Sequence, residues 1–328
     1  MVSPFMSTSE QSLEFTVSDE YWGQRLDQVA AVAFSDFSRS RLQAWIKSGN
    51  LTVDDQQAKA KDKLQGGECL RLEVVIETET HSQPQPMDLP IVFEDEHIIV
   101  LNKPHGLVVH PGAGVPNGTL LNGLLYAYPE LANLPRAGIV HRLDKQTSGI
   151  MVVARSLLAH TSLVKQLQDR SLGREYEAVV MGQLTGGGTV DKPMGRHPSH
   201  RLKMAVLESS TQAKEAVTHY RLINRFPLYT HIRCQLETGR THQIRVHLAH
   251  IKHPIVGDPV YLGRQKWLKG TQEPLKQHLA NFNRQALHAK KLTLIHPQSG
   301  ELMSWETELP EDMKQLLIAL RADQAMAL

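Results

Sequence analysis

The chain has 328 residues, 41% hydrophobic and 21% charged, with a formal net charge of +2. That balance is ordinary for a soluble globular protein of one or two domains. No stretch approaches the roughly 18 apolar residues of a membrane span, and the opening MVSPFMSTSEQSLEF lacks the basic start and apolar run of a secretory signal. Cys69 and Cys234 are the only cysteines, far apart and outside any CxxC pair, so a reducing, cytoplasmic setting without disulfides is expected.

The small net charge conceals segregation. Residues 1–20 carry four acids and no Lys or Arg, and residues 72–96 carry seven acids and again no Lys or Arg. Residues 260–291 reverse this, with seven Lys or Arg against the single acid Glu273. Cations gathered in this way suit a surface that meets a polyanion, or a lysine-rich solvated loop.

In chain order, residues 1–20 read as a flexible tail. Leu26, Val29, Ala30 and Ala33 then recur at helical spacing. Ser38 is the expected N-cap of a second helix over 39–47, with Leu42, Trp45 and Ile46 inward and Gly49 at its end. Leu51-Thr-Val is a short strand entering a turn, and Cys69 to Val74 alternates as another strand with Leu70, Leu72 and Val74 on one face. The outer helix face carries Arg39, Arg41 and Lys47, followed by Lys59, Lys61 and Lys63. The stretch from Ser38 to Val53 resembles the S4 RNA-binding module, which implies a domain over 21–77 that grips RNA mainly through its phosphates.

Residues 78–90 hold three prolines and no useful periodicity, and read as a linker. A larger domain is expected over 91–328. It opens as strand, turn and strand from Ile91 to Leu101, with further strands at 149–154, 175–181, 217–223 and 231–236 and a helix over 159–167. Strands predominate, so the fold class is α+β: an S4-like module plus a mixed, mainly antiparallel sheet.

Two clusters carry chemistry. Val140-His-Arg-Leu-Asp-Lys-Gln-Thr-Ser-Gly precedes the apolar run Ile150-Met-Val-Val-Ala, the place where a rigid scaffold mounts reactive groups. Asp144, between Arg142 and Lys145, is expected to be a carboxylate at neutral pH, fit to act as nucleophile, base or metal ligand. The second cluster runs from Leu236 to His247. Thr241 is its expected helix cap, with Ile244, Leu248 and Ile251 as the apolar stripe and Arg245 at the edge of that face, able to hold a carboxylate.

Together HRLDKQTSG and GRTHQIRVH, with Lys103-Pro-His-Gly upstream and Arg174-Glu-Tyr-Glu-Ala between them, resemble the RluA/RluD family of pseudouridine synthases, most closely the RluD type. The resemblance runs from about Gly23 to Ala322; residues 263–282 match least well and are left without a role. It implies a cofactor-free isomerase that converts uridines of 23S ribosomal RNA to pseudouridine, in the helix 69 stem-loop, during maturation of the large subunit. It further implies that Asp144 is the nucleophile, that Arg245 pairs with it, that Tyr176 stacks on the flipped uracil and that Leu287 covers the other face. Arg142 would occupy the space vacated by the extruded nucleotide, His141 would orient the loop or touch the substrate's phosphate, and Arg240 would contact the substrate. Lys103, set in a Lys-Pro turn, is either structural or a phosphate contact. A monomer is expected, with ribosomal RNA or a large-subunit precursor as partner. Two rivals are a metallohydrolase built on His242, His247, His250 and His253, and a passive RNA binder; no HExxH is present for the first, and Asp144 with Arg245 would be superfluous in the second.

Overall fold

The computed structural model describes residues 11–34, 37, 39–74, 82–112, 114–200, 203–208, 210, 213–263 and 267–326. It divides into two compact units, residues 1–77 and 78–328.

The first unit contains β1 (Gln11–Thr16), α1 (Leu26–Ala33), α2 (Arg39–Ser48), β2 (Leu51–Val53), β3 (Gln56–Gln57) and β4 (Cys69–Val74). Its strands form one antiparallel sheet in the order β1-β4-β2-β3. The helical spacing of apolar residues does what it should: Leu26, Val29 and Ala30 of α1 meet Leu42, Trp45 and Ile46 of α2 in a core closed by Leu51, Leu70 and Leu72. Gly49 ends α2 at φ +85°, a backbone conformation that favours glycine. One expectation fails here. Residues 11–16, assigned to a flexible tail, pair with Cys69–Val74 along their whole length, because Leu13 and Phe15 pack on this core. Lys47, Lys59, Lys61 and Lys63 are exposed, whereas Ser38 and the side chains of Arg39 and Arg41 lie outside the described residues.

The second unit comprises β5 (Ile91–Glu94), β6 (Ile98–Lys103), α3 (Leu120–Ala127), β7 (Ser148–Ala154), α4 (Leu157–Gln168) and β8 (Gly173–Met181). There follow β9 (Gly188–Asp191), β10 (Met194–Arg196), β11 (Met204–Val206), β12 (Val217–Arg225), β13 (Tyr229–Leu236) and α5 (Gln243–His250). It ends with α6 (Glu273–Asn281), β14 (Leu287–Ile295), β15 (Leu302–Glu306) and α7 (Glu311–Met326). Nine strands form one sheet in the order β5-β6-β7-β14-β8-β13-β12-β9, with β15 on β14, and β10 and β11 make a separate hairpin. Among the described residues only β7 and β14 run parallel within the large sheet, so the mixed, mainly antiparallel α+β class is observed. No helix among the described residues is long and apolar enough to cross a membrane.

Residues 82–90 have no regular structure, yet they are tied to α3 rather than free. Asn122 donates from its amide to Gln83 O at 2.8 Å, and Gly118 N–H donates to the Gln85 side chain at 2.7 Å. The 263–282 stretch contributes α6, whose Leu275 and Leu279 are buried in the main core.

The β7–β14 seam is tight. A Cβ on Gly149, at φ +118°, would lie 2.2 Å from Ala289 O, so only glycine lets these strands meet. Beside it, His288 is 1% exposed and bridges Ser148 Oγ (2.9 Å) and Thr307 Oγ1 (3.0 Å). Burial pushes its imidazole down to about 4, helped by Arg284 and Lys290. The unfolded chain protonates this histidine near 6.5, so between pH 6.5 and 4 it binds more protons than the folded one, and stability falls as pH falls through that window. His288 alone should contribute on the order of 3 kcal/mol to this loss. Urea unfolding from pH 7 to 4 should show a shallower acid slope for His288→Asn than for the parent, and identical slopes would contradict the assignment.

Candidate active site

Four adjacent strands deliver the candidate residues to one place. Asp144 lies in the loop that enters β7, Leu287 opens β14, Tyr176 lies within β8, and Arg245 is on α5, just after β13. Because β7, β14, β8 and β13 are neighbours, side chains distant in sequence line a single cavity of about 570 Å³. The register sets the floor of this cavity: Tyr176 faces Ala289 on one side and Cys234 on the other, two residues along β14 from Leu287. His141, Arg142, Arg240 and His242 complete the wall around Asp144.

The loop of Asp144 is held at both ends. Thr147 N–H donates to Asp144 O at 3.0 Å, and Gln285 donates from its side chain to Thr147 Oγ1 at 3.1 Å. Val152 N–H donates to His141 Nε2 at 3.1 Å. His141 is therefore a neutral acceptor that anchors the loop, in keeping with an imidazole that burial pushes down to about 3. Lys103 is fully buried and donates to three carbonyls, of Pro104 (2.8 Å), Leu107 (2.9 Å) and Lys145 (3.2 Å). Burial pushes its ammonium down to about 7 against the pull of Asp144, and the three acceptors support the charged form that burial opposes. A phosphate contact by Lys103 is thus ruled out in this conformation; the residue ties the Lys-Pro turn to the Asp144 loop.

Asp144 itself keeps 17% of its side chain exposed at the cavity wall. Its Oδ2 accepts from Arg245 Nη1 at 2.8 Å. Arg245 is 4% exposed and uses its other two nitrogens on a second carboxylate: Nε donates to Asp258 Oδ2 at 2.7 Å and Nη2 to Asp258 Oδ1 at 2.9 Å. The planar guanidinium suits this, one edge binding Asp258 in a fork while a corner reaches Asp144. Burial alone would weaken the cation, but Asp258 and Asp144 outweigh it and hold Arg245 above its ordinary value. Asp258 Oδ1 also accepts the backbone N–H groups of Val260 (2.8 Å) and Tyr261 (3.0 Å), and the Tyr261 ring lies under the guanidinium at 5.0 Å.

Asp258 and Tyr261 escaped the sequence reading. Asp258 stands alone in Gly257-Asp-Pro after the apolar pair Ile255-Val256, the same pattern of an acid at the edge of a buried run that marks Asp144. The helix start also differs from expectation. Thr241 does not cap α5; His242 does, from the left-handed region at φ 58°, ψ 19°, without a side-chain hydrogen bond to the helix. Gln243 secures the turn instead, accepting from Thr238 Oγ1 (2.8 Å) and from Arg240 N–H (3.0 Å).

Tyr176 is 6% exposed, and burial pushes its phenol up, with Arg174 opposing. Leu287 is 4% exposed at the same cavity, while Arg142 and Arg240 are exposed at its edge. Arginines dominate the lining: 136, 142, 170, 174, 240 and 245, against Asp144 and Glu237. Such a wall attracts an anion, and each of its two carboxylates is bonded to an arginine, Asp144 to Arg245 and Glu237 to Arg170. Among the described residues no group of three or more His, Cys, Asp or Glu could hold a metal ion.

The RNA pseudouridylate synthase family model matches residues 97–250, the stretch that contains Asp144, Tyr176 and Arg245. The chain is 54% identical over 311 residues to ribosomal large subunit pseudouridine synthase D of Xanthomonas campestris pv. campestris, covering 95% of this chain and 93% of that one.

The chain belongs to the RNA pseudouridylate synthase family.

Relatives of the same name in Escherichia coli O6:H1 and Pseudomonas aeruginosa are 54% and 55% identical; the alignments cover 95% and 93% of this chain and 95% and 94% of theirs. Human RNA pseudouridylate synthase domain containing 4 has a similar structure, with TM-score 0.56 and 26% identity over 70% of this chain and 92% of that one. Human RNA pseudouridylate synthase domain containing 1, at TM-score 0.52 and 24% identity over 73% and 98%, shares the fold. The protein is therefore an RNA pseudouridine synthase, an isomerase.

A pseudouridine synthase with this site must keep Arg245 anchored from behind. Asp258 has no side-chain exposure, and removing one partner of a buried pair costs about 3–5 kcal/mol. Asp258→Ala should lose stability on that scale in urea unfolding. A variant as stable as the parent would show that Asp258 is not the anchor.

Proposed function

We propose that this protein converts uridines of large-subunit ribosomal RNA to pseudouridine, with Asp144 as the nucleophile acting on a nucleotide extruded from the RNA. The observation that carries this reading is the Asp144–Arg245 pair at 2.8 Å, set in the wall of an open, arginine-lined cavity. The substrate class follows from relatives named for the large ribosomal subunit, 54–55% identical over nearly the whole chain. We assign the helix 69 stem-loop of 23S RNA as the target, and maturation of the large subunit as the setting, in the cytoplasm.

The chemistry is an isomerisation. The N1–C1′ bond breaks, a C5–C1′ bond forms, N1 gains a proton and C5 loses one, so no redox partner, group donor or net water is consumed. What the protein must supply is a carboxylate at close range and a wall that retains the detached base. Asp144 fits the first requirement, since Arg245 orients it without taking both of its oxygens. Tyr176 and Leu287 fit the second, offering a flat ring and an apolar side chain to the two faces of the uracil. Arg142, exposed at the rim, is suited to fill the space the nucleotide leaves, and Arg240 to meet the backbone beside it. The protein works as a monomer and without a cofactor.

The first unit supplies additional grip in the manner of an S4 module. Lys47, Lys59, Lys61 and Lys63 are exposed on it, as phosphate contacts require.

Two experiments test this reading. Asp144→Ala should bind the stem-loop with parental affinity yet form no pseudouridine, detected by mapping modified sites in the RNA; product from that variant would end Asp144's candidacy as nucleophile. Reversing Lys47, Lys59, Lys61 and Lys63 to Glu in the full chain should weaken RNA binding and reduce the salt slope by roughly 0.7–0.9 per lost phosphate contact. Turnover of bound RNA should be unaffected. An unchanged salt slope would remove these lysines from the interface.

A further inference from the structure

Arg245 fixes only half of the carboxylate it holds. Its single bond from Nη1 to Asp144 Oδ2 pins one oxygen, and a carboxylate held at one point remains free to swivel about that point. Oδ1 accepts no hydrogen bond from any described residue. The donor that faces it is His242 Nε2, at 3.9 Å.

His242 is built for this position. Its backbone sits in the left-handed region at φ 58°, a conformation that costs a non-glycine residue free energy and persists where the surroundings impose it. Its ring is fixed from the far side by Tyr261, whose hydroxyl lies 2.9 Å from His242 Nδ1, with the two rings edge to face at 5.7 Å. The direction of that hydrogen bond can be worked out. Tyr261 Oη already accepts from Met204 N–H at 2.9 Å. The phenol's own hydrogen needs an acceptor, and His242 Nδ1 is the one within reach among the described residues. Nδ1 is then an acceptor, and a neutral imidazole carries its hydrogen on Nε2, the atom turned towards Asp144. Burial, stronger here than the pull of Asp144, keeps the ring below the usual imidazole value and so neutral.

We propose that His242, held by Tyr261 with its hydrogen on Nε2, is a positioning residue that closes onto Asp144 Oδ1 and fixes the plane in which the carboxylate meets the nucleotide. Arg245 and His242 then provide one donor for each oxygen. At 3.9 Å the second bond is not yet made, and a shift of about 1 Å brings it into hydrogen-bond range. Catalytic contacts commonly tighten in this way when substrate enters. Tyr261 thereby has two tasks, since the same ring also lies under Arg245. This inference rests on Asp144 being the nucleophile.

The test uses the full-length protein with the stem-loop RNA, measuring single-turnover rate and RNA affinity separately. His242→Ala should slow the single-turnover step by about 100-fold, the scale expected from misplacing a reacting group, with RNA affinity held within about threefold. His242→Gln places an amide N–H near the former Nε2 and should recover most of the rate. His242→Asn, whose amide stops near the former Nδ1, should not. Tyr261→Phe keeps the ring under Arg245 but frees the imidazole hydrogen to choose either nitrogen, so its rate should fall between the parent and His242→Ala. The proposal is overturned by a parental rate in His242→Ala, by equal rates in the Gln, Asn and Ala variants, or by a loss of affinity matching the loss of rate. Should His242→Ala fail to fold, the Gln, Asn and Tyr261→Phe comparison decides alone. Product from Asp144→Ala would end the nucleophile assignment itself, whereas an inactive Asp144→Ala beside a fully active His242→Ala would reject only the role of His242.

Discussion

One guanidinium shared between two carboxylates governs this molecule. Arg245 is buried, and a lone cation there would be costly to desolvate; Asp258 behind it accepts from two of its three nitrogens and makes the burial tolerable. The third faces Asp144, which is itself open to the cavity. The sequence of dependence is clear: backbone N–H groups of Val260 and Tyr261 hold Asp258, Asp258 holds Arg245, and Arg245 holds the carboxylate that meets solvent. Asp144 is thus held at the cavity wall by one charge-assisted hydrogen bond while part of its side chain stays open to solvent.

The sheet exists, in functional terms, to make that arrangement possible. Asp144, Tyr176, Arg245 and Leu287 lie far apart along the chain, and they converge because β7, β14, β8 and β13 are side by side. The parallel pairing of β7 with β14 is the step that brings Leu287 beside the Asp144 loop, and it depends on a position with no side chain, Gly149, against the Ala289 backbone. The buried polar groups along this seam, Ser148, His288 and Thr307, satisfy one another, so the close approach leaves no stranded hydrogen-bonding group there.

Much of this was legible in the chain, for identifiable reasons. Alternation revealed β4, and the apolar runs at Ile98–Leu101 and Ile150–Ala154 marked strands buried on both faces. The HRLD and GRTHQIR clusters stood out because ionisable residues directly abut such runs. Three things were hidden. Gln11–Thr16 is a strand only because β4 offers it an edge, which no local pattern announces. Lys103 reads as a basic residue on a turn, and nothing in its neighbours tells that its ammonium is enclosed by three carbonyls. Asp258 and Tyr261 become part of the site through the packing of the loop after α5, a tertiary event. The left-handed start of α5 at His242 likewise overrides the ordinary preference for a threonine cap.

The central place of β14 has an implication for how the molecule comes into being. This strand lies between β7 and β8, yet it is made after both and after almost everything else in its unit. During synthesis the loop of Asp144 and the strand of Tyr176 must wait, separated by a gap, until residues 287–295 arrive to join them. Chains interrupted before residue 287 therefore carry Asp144 without the strand that joins β7 to β8 and brings Leu287 to the cavity, and the site assembles only once residues 287–295 have been made.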